Sequence, residues 1–347
     1  MKVFRVLSIV IIVTALMAAC QAPATTAPTA VPAATAVPAA TAVPKPLFYG
    51  AYATPIAEPW DGVIHQALQK AADAGKITYE HQDNIGYSGD MERVLRQIAE
   101  TKKPAAIFGD AFGNEEAVRR VAVDFPKIAF VFGSGGGPAD PNMAVFDNWI
   151  HEPAFLCGML AGGLTKSNII GVVGAMPIPE VNRIVNAFIA GAKEINPNAK
   201  VKVSFINSFF DPAAAKEAAL AQIGTGADVL FAERFGVIEA AASKGLYAFG
   251  NMSDQNSLAP DIVVTGPVWD MSPTVDYVIK QVIAGSFTGQ DLKDFSMVAK
   301  GGAALAPFHG LDSKIPADLL KKVLDREAAI KSGNFRVDIA ESAPVSD

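Results

Sequence analysis

The 347-residue chain contains two cysteines, Cys20 and Cys157, and four well-separated histidines, His65, His81, His151 and His309. Two thiols cannot build a disulfide framework or a thiolate cluster, and no histidines carry a His-Glu-x-x-His or comparable zinc spacing. Positive charge is also short: 29 Lys and Arg stand against 35 Asp and Glu, a net charge of −6 at pH 7. Global charge therefore supplies no cationic surface for nucleic acid or anionic lipid. A Gly-x-Ser-x-Gly elbow is absent, which leaves serine hydrolase chemistry without local support. The run Gly133-Ser134-Gly135-Gly136-Gly137 is not followed by Gly-Lys-Ser or Gly-Lys-Thr. It also lies well past the first strand–helix unit, where a dinucleotide fingerprint belongs. These absences favour a chain with no catalytic set, no metal and no cofactor.

Lys2 and Arg5 precede one apolar run over residues 6–17, then Ala18 and Ala19. This is the pattern of a signal peptide over residues 1–19, too short for a confident membrane span and without a stop-transfer flank. Cys20 directly after Met-Ala-Ala resembles the lipobox of bacterial lipoproteins, which implies lipidation of Cys20 and an extracytoplasmic protein anchored to the cell membrane. Residues 20–46 repeat Pro, Thr and Ala with almost no charge. Proline recurs too often for a helix and large apolar groups are too few to order the segment, so it reads as an extended tether.

The folded body starts near Leu47. Apolar runs at 47–52, 76–82, 105–108 and 128–132 read as strands, separated by helical patterns at 61–74, from Ser88 as cap, and at 114–124. A small-residue helix at 152–164, with Gly158, Gly162 and Gly163, allows close backbone packing. A second series follows: strands at 169–173, 200–206, 228–231, 246–250 and 262–265, helices at 179–195, 212–223 and 237–243. Helices at 273–284 and 316–332 flank a weakly apolar stretch at 297–305. Alternation with continuous Val, Ile and Phe strands predicts parallel sheets covered by helices on both faces. The expected division is lobe 1 at 47–147 plus about 252–292 and lobe 2 at 148–251 plus about 293–347, with several crossings and a monomeric chain.

Cys157, beside Leu156, Met159 and Leu160, reads as an inert buried thiol. The remaining candidates sit at strand ends, where parallel sheets place their ligand crevice: Trp60, Asp110, Asn148, Trp149, Phe209, Phe210, Asp254 and Trp269. Aromatic rings with a few polar groups suit a flat heteroaromatic ligand held by stacking, its edge read by hydrogen bonds.

The stretches 54–60, 146–163 and 171–191, the pairs Asn196-Pro197 and Asp211-Pro212, and the stretch 247–255 together resemble the basic membrane protein family of lipoprotein substrate-binding proteins for ABC transporters, over about residues 47–310. The resemblance implies a type I periplasmic-binding fold of two Rossmann-like lobes and a purine-type ligand between them. It implies carboxylates in the first loop and in an Asp-Ser-Asp-Gln motif, plus a lysine after the next strand. Here that motif reads Met252-Ser253-Asp254-Gln255 and the lysine region Pro267-Val268-Trp269-Asp270, while Glu58 approximates the first-loop acid. Loss of the first aspartate and of the lysine argues against a ribose clamp. The expected function is a receptor for a purine or related nucleobase that hands it to a permease, with Trp60 and Phe209 or Phe210 stacking, Asp254 and Asn148 meeting ring nitrogens, and Trp269 closing off ribose space. The alternatives are a receptor for intact nucleosides, an extracellular nucleosidase-type enzyme, and a surface protein with sensory or structural duty.

Overall fold

The computed structural model describes residues 44–347. Cys20, the signal peptide and most of the tether lie outside the described residues. The first half alternates as expected: β1 (Leu47–Ala51), α1 (Pro59–Asp73), β2 (Thr78–Gln82), α2 (Asp90–Thr101), β3 (Ala106–Asp110), α3 (Glu115–Asp124), β4 (Ala129–Gly133) and β5 (Met143–Phe146). These strands form one wholly parallel sheet in the order β2-β1-β3-β4-β5. Strands β3 and β4 are buried along their whole length, as central parallel strands covered on both faces must be.

The chain then runs through α4 (His151–Leu164), β6 (Ile169–Gly174), α5 (Pro179–Ile195), β7 (Lys200–Phe205), α6 (Pro212–Gly224), β8 (Val229–Ala232), α7 (Val237–Ala242) and β9 (Tyr247–Phe249). A second parallel sheet has the order β7-β6-β8-β9. Helices α4 and α5 meet backbone to backbone. A Cβ on Gly158 would collide with the Phe188 carbonyl, and one on Gly191 with that of Phe155. Glycine is therefore required at this contact, as the small-residue pattern of α4 suggested.

The last third is β10 (Pro267–Trp269), α8 (Ser272–Ala284), β11 (Ala303–Leu305) and α9 (Ala317–Lys331). Strands β10 and β11 pair antiparallel. Helix α8 packs on α1 and α9 on α4, so the returning chain serves both sheets. Residues 290–292 bond back to β5, with Val145 N donating to Gln290 O at 3.0 Å and Leu292 N to Val145 O at 2.7 Å. One hydrophobic core runs from Phe48, Phe108 and Phe146 through α4 to Phe188, Phe231 and Trp269. Smaller clusters fill the outer faces of the two sheets.

Three local readings differ from expectation. Helix α2 begins at Asp90 with Gly89, at φ 100°, as its N-cap; Ser88 does not cap it. Residues 143–146, outside the strands expected from the sequence, form the edge strand β5. The run 262–265 is an irregular parallel neighbour of β9 rather than a regular strand, with Ala248 N donating to Ile262 O at 3.0 Å, Val264 N to Ala248 O at 2.9 Å and Gly250 N to Thr265 O at 2.9 Å.

Candidate functional site

The carboxyl ends of both sheets face a narrow cavity with about 20 Å³ of free space. Thr54, Glu58, Trp60, Asp61, Tyr87, Asp110, Phe112 and Ser134 line it from the first sheet's loops, and Ile178, Glu180, Phe209 and Arg234 from the second's. Parallel sheets converge their loops at this end, and two helices start there, α1 and α5, each with proline at its first position. Proline lacks an N–H that the first helical turn would leave unpaired, and its φ suits the helix.

Glu58 is the N-cap of α1. Its Oε2 accepts from Trp60 N at 2.8 Å and Asp61 N at 3.2 Å, which satisfies two orphan donors. Its Oε1 accepts from Arg234 Nη1 at 3.1 Å. Arg234 follows β8, and its Nη1 also donates to the Phe209 carbonyl at 2.8 Å, while Nη2 donates to Glu233 Oε1 at 2.6 Å and Nε to Glu233 Oε2 at 3.0 Å. Burial works against the guanidinium charge, but Glu233 and Glu58 outweigh it and hold Arg234 protonated. Burial also raises Glu58 above the usual carboxylate range, with Arg234 opposing.

Three more carboxyls lack a cation of their own. Asp61 Oδ2 accepts from Thr54 N at 2.9 Å and Thr54 Oγ1 at 2.6 Å, yet its Oδ1 is buried with no partner. Burial, then Glu58, pushes Asp61 up to about 7. Asp110 Oδ1 accepts from Phe112 N at 2.9 Å, and burial followed by the nearness of Asp61 raises this acid far above its ordinary value. Glu180 accepts from Asn148 Nδ2, and burial, then Asp147, pushes it up to about 8.

The aromatic walls come from different elements. The Trp60 ring stacks on Phe146 with centroids 5.7 Å apart and leans on Trp269 at 5.2 Å. Gly133 makes this possible, since a Cβ there would collide with the Trp60 ring. Phe112 meets Phe209 edge-on at 5.2 Å and Tyr87 at 6.1 Å, which joins the two sides at the cavity mouth.

Of the residues expected from sequence, Trp60, Asp110 and Phe209 line the cavity. Asn148 stands behind Glu180, fully buried, and orients it. Trp269 stands behind Trp60, with its Nε1 donating to Ser296 Oγ at 3.0 Å. The other three lie elsewhere. Phe210 is 43% exposed and meets Phe235 rather than the cavity, because adjacent residues in this turn point apart. Trp149 packs between Arg183, at 4.6 Å, and Lys293, at 5.2 Å. Asp254 pairs with His309 Nε2 at 2.7 Å, both groups partly open to solvent. Asp61, Tyr87, Glu180 and Arg234 had not been expected to form the site. The spacing of Glu58 and Asp61 around Pro59, and the charge of Arg234 directly after the apolar β8, were the available signals.

Residues 57–301 match the Bmp family, described as ABC transporter substrate-binding protein, PnrA-like. A purine-binding protein of Brucella abortus (strain 2308) is 31% identical over 280 residues, 80% of this chain and 78% of its own. A Haloferax volcanii relative named as an ABC transporter glucose-binding protein is 34% identical over 200 residues, 57% of this chain and 51% of its own. Among solved structures, an ABC transporter solute-binding protein from Aeropyrum pernix K1 superposes with a TM-score of 0.73 at 17% identity, covering 85% of this chain and 93% of that one.

Proposed function

The chain belongs to the Bmp family of PnrA-like ABC transporter substrate-binding proteins, and we propose that it binds a purine or related nucleobase in the cavity between its two sheets. The observation that carries this reading is the pairing of aromatic walls with an unsatisfied buried carboxyl oxygen, Asp61 Oδ1, in one narrow space. A buried polar atom without a partner costs about 1–3 kcal/mol, and a ring nitrogen bearing hydrogen would recover it. Trp60 and Phe209 are the stacking surfaces, with Phe112 and Tyr87 at the mouth. Asp61, Asp110 and Glu180 read the ring's edge, Asn148 fixes Glu180, and Trp269 keeps Trp60 in place.

No bond is made or broken. The proposed lobes are residues 47–147 with about 252–292, and residues 148–251 with about 293–347, turning about the crossings between them. A ligand touching both stabilises the closed population, and the permease takes the ligand from that state. Lipidation of Cys20 and the tether to residue 46 would hold the monomeric receptor at the outer face of the cell membrane.

The test is thermal unfolding of refolded, ligand-stripped protein against nucleobases, nucleosides and glucose. A concentration-dependent rise with a free base, larger than with its nucleoside or with glucose, is expected. A larger rise with glucose would overturn the purine reading. Preference for the nucleoside would assign the site to intact nucleosides instead.

A further inference from the structure

The hydrogen-bonding capacity of the cavity wall is one-sided. Thr54 Oγ1 is spent on Asp61, and every guanidinium nitrogen of Arg234, the only cation among the lining residues, already donates to Glu58, Phe209 O or Glu233. What remains is mostly carboxyl oxygen, from Asp61, Asp110 and Glu180, with the hydroxyls of Ser134 and Tyr87 and the second N–H of Arg234 Nη2. Asp61 is 2% exposed and its Oδ1 is unpartnered.

We propose that ligand binding here is coupled to release of protons from Asp61, Asp110 and Glu180, so that the protein selects a flat heterocycle offering N–H donors over one offering acceptors or negative charge. This rests on the nucleobase reading of the site.

The groups facing these acids set the sign. Asp61 is faced by Glu58 at the N-cap of its own helix, by Asp83 after β2, and by Asp110 at the end of β3. Tyr52, just after β1, and Tyr79 in β2 feel its charge, as does Tyr87 from the loop before α2. Glu180 is faced by Asp147, Glu233, Arg234 and Arg183. Burial first, and then the excess of acids over cations, makes these carboxyls hold protons that ordinary acids give up. A ring N–H favours the carboxylate form. A carboxyl that faces such an N–H then loses its O–H proton to the buffer, while the ring nitrogen keeps its own hydrogen and donates it. An acceptor atom would do the reverse and favour the protonated acid.

Calorimetric titration of the full chain with adenine, in phosphate and in Tris at the same pH, counts the protons exchanged. Net release is expected, with adenine affinity rising from about pH 6 to pH 8 by up to about tenfold per pH unit for each proton released. Urate, an anionic purine, should bind at least about tenfold more weakly than adenine, as an unpaired like charge costs over 1.4 kcal/mol. The variants Asp61→Asn and Glu180→Gln should each release fewer protons; the wild-type comparison decides the matter if either fails to fold. Adenine binding with no exchange or with proton uptake, or urate binding as well as adenine, overturns the inference and leaves the nucleobase reading standing. Failure of every purine to bind overturns both.

Discussion

Arg234 Nη1 lies 3.1 Å from Glu58 Oε1, with both side chains almost wholly buried, so that one ion pair ties the N-terminus of α1 to the end of β8 across the cavity. Removing one member of such a pair strands the other charge, which costs about 3–5 kcal/mol. Arg234→Met should therefore lower the urea midpoint strongly. Glu58→Gln combined with Arg234→Met should recover only the part of the loss that comes from Glu58, since the buried Glu233 carboxylate still lacks its guanidinium partner. Additive losses in the double variant would show that the two side chains act independently.

Phe209 and Phe210 are neighbours in sequence with different surroundings. Phe209 lines the cavity against Phe112, while Phe210 is turned outward toward Phe235. Stacking of a base on an aromatic side chain is worth about 1–3 kcal/mol. Phe209→Ala should weaken nucleobase affinity by about tenfold to a hundredfold, and Phe210→Ala should leave it unchanged in the same titration. Equal losses would mean that the turn after β7 rearranges around the ligand.

Local features of the fold could be read from the sequence. Residues 179–195 were expected as a helix and α5 spans Pro179–Ile195, because an initial proline and a regular apolar face mark its start and course. The glycines of α4 likewise announced a close contact. The short β5 was harder, since four residues leading into polar Asp147 and Asn148 carry no period of their own. The site was legible only in part. Trp60, Asp110 and Phe209 stand at strand ends and could be found by that rule, but the same rule also selected Asp254, which a turn at Asn256–Leu258 and His309 hold near the surface. The Glu58–Arg234 pair joins residues 176 positions apart, and nothing local in either segment specifies the other.

Gly133 ends β4 directly under the Trp60 ring, and a methyl group there would occupy the position of the indole. The ring cannot retreat freely, because Phe146 and Trp269 already pack against it. Gly133→Ala should cost about 1–3 kcal/mol by overpacking and should also weaken nucleobase binding, as the stacking surface is displaced. Trp60→Phe in the Gly133→Ala background should restore stability. A stable Gly133→Ala protein with full affinity would show that Trp60 does not hold the base.

Protonation of the empty site gives the last prediction. Asp61 and Glu180 titrate near 7 and 8 in the folded chain, through burial first, whereas unfolded carboxyls titrate near 4. Between these values the folded protein binds more protons than the unfolded one, so stability falls as pH rises, by up to about 1.4 kcal/mol per pH unit for each group. The stabilising protons are fully present below about pH 4 and lost above about pH 8. Asp347, held low by the backbone N–H of Val201 and by Lys193, acts in the opposite direction only at lower pH. His151, lowered to about 4 by burial and then Arg183, and His65, lowered by burial and then His81, also oppose the acids until unfolded imidazole has lost its proton near pH 6.5. The cavity acids therefore set the slope above about pH 7. Ligand-free protein should accordingly melt at a higher temperature at pH 7 than at pH 8.5. Asp61→Asn removes one buried charge and should flatten that slope, gaining most at the alkaline end. A wild-type melting temperature that rises across the same window would mean that these carboxyls are ionised in the folded state.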